Sequence, residues 1–110
     1  MNQDKSYIQI QTTFETRESA VDFASLIVDS GLVACAQITE CESIYYYEGK
    51  RFKHMEYIVK MKTTAGHFHM CEEFIKQNHP YKVPEIIALP IVSGSSEYLS
   101  WISENTKRED

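Results

Sequence analysis

Between Lys5 and Thr13 apolar and polar positions alternate, with Ile8, Ile10 and Thr12 on one side and Tyr7, Gln9 and Gln11 on the other. That two-residue period predicts a strand with one buried face. The period then lengthens. Ala20, Phe23, Ala24 and Ile27 fall at helical spacing, after a capping residue, Thr16, and before a terminating glycine, Gly31, which predicts a helix of about four turns. LVACAQI, 32–38, reads as a second strand whose small residues let a helix approach the sheet. The stretch SIYYYEGKRFKHMEYIVKMKT predicts two aromatic and β-branched arms around a turn at Glu48–Arg51, the second arm reaching Thr63. A second helix is predicted from Thr64, with Phe68, Cys71, Phe74 and Ile75 on its apolar side and Pro80 closing it. A strand over 85–92 contains Pro90, which implies a sheet edge or a place where ladder pairing is interrupted. Gly94 and the serines after it lead into a short helix with Tyr98, Trp101 and Ile102 on one face. The order βαββαβ plus a C-terminal helix predicts one α+β domain over 1–110, a ferredoxin-like sandwich with a long hairpin.

The hairpin is too long for that domain. Pairing 32–48 with 51–63 gives a ribbon of about 13 residues, on the order of 40 Å. A compact chain of this length has a diameter of roughly 34 Å. The overshooting edge and its three consecutive tyrosines therefore call for another chain to cover them. A bulge near Cys41–Glu42 would bend the ribbon, which softens the length argument without removing it.

Composition removes several functions. The 110 residues are 43% hydrophobic and 25% charged, with a net charge of −5. An acidic chain without a Lys/Arg cluster does not suit nucleic acid or an anionic membrane. No apolar run approaches the ~20 residues of a membrane-crossing helix. The polar start MNQDKS predicts no signal peptide. Three cysteines, an odd number without CxxC spacing, read as reduced thiols and predict a cytoplasmic location.

Candidate chemistry is sparse. His67 and Cys71 lie four apart, one helix face, with His79 beyond the helix end; imidazole and thiolate would suit zinc or copper. The competing reading makes Cys71 a core residue and His67 a solvated one. Cys35, between two alanines, reads as packing or as a soft Cu(I) ligand at a subunit boundary. His69 and Glu73 read as a surface pair. In NHPYKVPEII, 78–87, Pro80 stops the helix and Pro84 restricts Val83, so a turn rich in ionisable groups is held rigid and fixes Glu85. There is no GxSxG, GxGxxG or P-loop. The tyrosines lack the motif of an RNA-recognition sheet. A small ferredoxin-like enzyme such as an acylphosphatase would need an anion loop, and FETR offers Arg17 without a glycine.

GLVACAQI (31–38), SIYYYEGK (43–50), EYIVKMKT (56–63), HPYKVPEIIALPI (79–91) and EYLSWI (97–102) resemble the CutA divalent-cation-tolerance family, and the likeness runs from about residue 5 to 105. The resemblance implies a cytoplasmic, very stable homotrimer, built like the PII signalling proteins, that is not an enzyme and responds to metal ions. It implies copper or another divalent metal ion as cofactor, with Cys35 and His79 at the matching ligand positions. It also implies a cleft between subunits, for a small-molecule effector, built from Tyr47, Glu56, Lys62, Glu85, Tyr98 and Trp101. Tyr47 stands where the family often has tryptophan, which changes the shape of that cleft. A structural or signalling trimer without metal is the alternative.

Overall fold

A computed structural model describes residues 6–106; the predicted strand start at Lys5 and both ends of the 1–110 domain lie outside them. The elements are β1 (Tyr7–Phe14), α1 (Arg17–Asp29), β2 (Cys35–Tyr47), β3 (Lys50–Thr64), a 3-10 turn (Ala65–His67), α2 (Phe68–Asn78), β4 (Ile87–Ile91) and α3 (Ser96–Glu104). They form one antiparallel sheet in the order β2-β3-β1-β4. This is the ferredoxin-like arrangement that the element order predicts, with α3 added.

One sheet face carries the core. Ile10 and Phe14 of β1, Val59 and Met61 of β3, Phe23 and Ile27 of α1, and Cys71 and Ile75 of α2 are all buried. Each such large side chain contributes about 1.5–3 kcal/mol by leaving water. Thr16 caps α1 through its hydroxyl, accepting from the Ser19 N–H. Gly31, at φ 82°, ends that helix in a conformation that costs other residues a steric clash. Pro90 sits on the edge strand β4, where the ladder tolerates a missing N–H.

Several boundaries differ from the sequence pattern. β2 begins at Cys35, not at 32: Leu32 and Val33 are buried in the connection, where Leu32 O accepts from Thr63 Oγ1 at 2.8 Å. Apolar residues that pack from a loop look like a strand in sequence. The bulge near Cys41–Glu42 is absent, since the register runs unbroken from Cys35↔Lys62 to Tyr47↔Lys50. The turn tightens to Glu48 and Gly49, at φ 52° and 79°; two positive φ values match the twist of a two-residue hairpin. α2 is preceded by the 3-10 turn, and β4 covers five residues, Ile87–Ile91, so that 85, 86 and 92 lie outside the ladder.

The overshoot is real. β1 pairs with β3 as far as Phe14↔Tyr57, and beyond that point residues 50–56 pair with 41–47 in a two-stranded arm. Seven pairs extend about 23 Å, and the described residues span 51 Å along their longest axis. Ile44, Tyr46 and Met55 are exposed on one side of the arm, and Tyr45, Tyr47 and Phe52 on the other. Tyr46 is 74% exposed.

Candidate functional site

The arm leaves the sheet beside the end of β1 and the polar turn after α2, and a cleft of about 510 Å³ lies there. Tyr45, Tyr47 and Phe52 form its arm-side wall, and Thr13, Tyr81 and Val83 its other side, with Glu56, Lys82 and Glu85 supplying charge. The register explains the aromatic wall. Tyr45 faces Phe52 directly across the ladder, and their rings stack at 5.6 Å. The Tyr45 hydroxyl and His54 Nε2 are 2.6 Å apart, which fixes the ring at its far end.

Glu56 is the unusual group. It is 5% exposed, and a buried carboxylate needs partners. Tyr81 donates its hydroxyl to Glu56 Oε2 at 2.6 Å. Burial first, then this bond and the negative charge of Glu56 and Glu15, raise the Tyr81 pKa well above its ordinary value, so Tyr81 remains a donor. Glu56 Oε1 has no hydrogen-bond partner among the described residues.

His79 ties the turn to the sheet. Its ring stacks on Phe14 at 4.2 Å, and Nε2–H donates to Thr13 O at 2.7 Å. Nδ1 accepts the Tyr81 N–H at 3.2 Å. The two bonds set the tautomer and use both nitrogens. Burial lowers the His79 pKa from 6.5, against the opposing pull of the Thr13 carbonyl and Glu56. A proton on Nδ1 would face an N–H donor. The unfolded chain therefore binds more protons than the folded one below about pH 6.5, and stability falls as pH drops from there through the lower folded value. Denaturation midpoints from pH 7.5 to 5 should show this slope, and His79→Gln should flatten it; an unchanged slope would mean that the ring is not held neutral.

The expected site residues separate into two groups. Tyr47, Glu56 and Glu85 line the cleft. Lys62, Tyr98 and Trp101 lie at the other end of the sheet: Lys62 is six residues along β3 from Glu56, about 20 Å, and bonds Gln37 at 2.6 Å. Tyr98 and Trp101 stack at 5.5 Å on α3, and the Tyr98 hydroxyl lies 3.8 Å from Cys35 Sγ. Within one chain these six residues do not share a cleft. Tyr81 and Lys82 line it as members of the polar turn after α2, whereas Thr13, Tyr45, Phe52 and Val83 are not among the expected residues; the cross-strand register of Tyr45 and Phe52 is the signal that finds two of them.

The metal candidates are also apart. Cys35 faces Lys62 on β2, whereas His79 holds Thr13, which pairs with Ile58. The two sites differ by four residues along the strand, about 13 Å, and by two strand spacings, about 10 Å. With both His79 nitrogens engaged, one chain does not offer Cys35 and His79 as a copper centre. No group of three or more His, Cys, Asp or Glu could hold a metal among the described residues. Cys71 is buried, its thiol pushed up to about 12 by burial, as the core reading has it; His67 is not solvated but half-buried on the 3-10 turn, its Nδ1 2.7 Å from Thr64 Oγ1. His69 meets Glu72, at 3.6 Å, in place of Glu73.

Residues 8–105 match the family model described as CutA1 divalent ion tolerance protein. The divalent-cation tolerance protein CutA of Thermus thermophilus is 41% identical over 95 residues, covering 86% of this chain and 92% of that protein. The chloroplastic CutA of Arabidopsis thaliana is 38% identical over 91% of this chain and 56% of its own length. A solved structure, named as the periplasmic divalent cation tolerance protein CutA of Archaeoglobus fulgidus, superposes with a TM-score of 0.89 at 31% identity, covering 92% of this chain and 99% of that one. These names describe tolerance, not a reaction, and they span more than one compartment. Among the described residues no helix is long and apolar enough to cross a membrane. With a family model matched along nearly its whole length and the same fold in its relatives, the chain belongs to the CutA1 divalent ion tolerance family.

Proposed function

We propose that this chain works as a cytoplasmic homotrimer in the response to metal ions, as a binder of a small effector with no catalytic role. The observation that carries this reading is the seven-pair arm, with its exposed aromatic faces and a cleft at its root. Arm and cleft share Tyr45, Tyr47, Phe52 and Glu56, so covering the arm with a neighbouring chain also closes the cleft. Lys62, Tyr98 and Trp101 would then reach the cleft from that neighbour. The cytoplasm is supported by three unbridged cysteines. A strain lacking the gene should grow poorly in added copper and recover with the parent chain. Equal growth with and without the gene would remove the metal response from this reading.

Copper held directly is a second reading, favoured by the Cys35 thiol, which is half-buried and has the weak 3.8 Å contact with Tyr98. Because His79 is engaged, the remaining donors would come from neighbouring chains. Cys35→Ser should then weaken Cu(I) binding at least tenfold, and Cys41→Ser much less, since thiolate is the soft donor. Competition titration with a Cu(I) chelator measures both. Equal effects would return Cys35 to packing.

A further inference from the structure

Two features of the cleft do not belong to a generic apolar groove. Glu56 is nineteen-twentieths buried, lines the cleft, and has one oxygen, Oε1, with no hydrogen-bond partner among the described residues. Beside it stands a wall of Tyr45, Tyr47 and Phe52, two of whose rings are locked by stacking and by His54. Oε1 is not sealed from solvent, since Thr12 Oγ1 is the one fully buried side-chain oxygen or nitrogen without a partner among the described residues; it opens to the cleft, where an N–H or a cation would meet it. Aromatic faces attract cations and shield them from water. We infer that the cleft takes a small organic cation, a protonated amine that donates to Glu56 Oε1 and lays its carbon body against Tyr45, Tyr47 and Phe52. This inference rests on the reading of the cleft as an effector site and names the ligand's chemistry.

The surroundings favour a cation over an anion. Glu85 lines the same cleft, and Glu15 is near enough to raise, with Glu56, the pKa of both Tyr45 and Tyr81. Within the chain Lys82 is the opposing charge, and it is exposed, so its ammonium is solvated at the rim; with Lys62 from a neighbouring chain, three carboxylates, Glu15, Glu56 and Glu85, still stand against two ammonium groups. A bare metal ion fits poorly. Magnesium or calcium takes six or more oxygens, and no cluster of three metal-binding side chains exists among the described residues. The volume, about 510 Å³, lies within the range of small-molecule sites.

The test titrates phenethylamine, 2-phenylethanol and phenylacetate into the full chain, followed by amide and side-chain NMR shifts. Phenethylamine should bind at least tenfold more tightly than the alcohol, with shifts at Thr13, Glu56 and Tyr81, and phenylacetate should give no saturable shift. Glu56→Gln keeps an oxygen for the Tyr81 hydroxyl and should weaken the amine at least tenfold while leaving the alcohol unchanged. Phe52→Leu, on the exposed arm, should weaken both. Equal affinity for amine and alcohol, preference for phenylacetate, or no saturable shift at millimolar amine would overturn the inference. Light scattering on the same samples separates the readings: a trimer that ignores the amine loses the ligand class, and a monomer that binds it loses the assembly.

Discussion

Phe14→Ala should cost about 3–5 kcal/mol of stability, the range for removing a buried aromatic ring. Phe14 is 1% exposed and touches the Phe23 ring at 5.2 Å on the core side. Its other contact is His79, stacked at 4.2 Å. The loss should therefore exceed that of an ordinary core truncation in one respect. His79 would lose its floor, and with it the hold on Thr13 and Tyr81 that shapes the cleft. Chemical denaturation at fixed protein concentration measures the first effect, because assembly makes stability concentration-dependent. The Tyr81 amide shift reports the second. A loss under 1 kcal/mol would mean that the site repacks and that the turn is positioned by other contacts.

Replacing residues 42–55 by Asn-Gly should abolish assembly while leaving the subunit folded. Cys41 and Glu56 form a ladder pair, and a two-residue turn can close the hairpin there. None of the buried residues named for the core falls within 42–55. The shortened chain should keep its circular dichroism and lose self-association at concentrations where the parent is trimeric. A shortened chain that still assembles would show that the contact lies elsewhere, on the Gln9, Gln11 and Lys60 face or along β4.

The hairpin was legible because its signals are local: β-branched and aromatic residues, a glycine at the turn, and a length that simple geometry compares with a domain's diameter. Pro90 announced an edge strand for the same reason, since one residue's missing N–H decides its place. The three helices were legible from periodicity, with Thr16 and Gly31 at the ends of the first. What the sequence hid was contact between distant segments. His79 reaches Thr13 across 66 residues, and no spacing encodes that bond. The stretch HPYKVPE looked like a rigid polar joint, and it is one, but the tyrosine that serves Glu56 could not be told from its neighbours. Lys62 shares a motif with Glu56, and Tyr98 and Trp101 share one with each other, but motif membership does not give position. The fold places Lys62 some 20 Å along β3 from Glu56, with Tyr98 and Trp101 stacked beside Cys35 at that same end.

The account depends most on one quantity, the mass of the protein in solution. Size exclusion coupled to light scattering at micromolar concentration should give three times the 12.8 kDa of one chain, unchanged on tenfold dilution. A stable monomer would contradict it, because the arm would then stand uncovered and nothing would close the cleft over its aromatic wall.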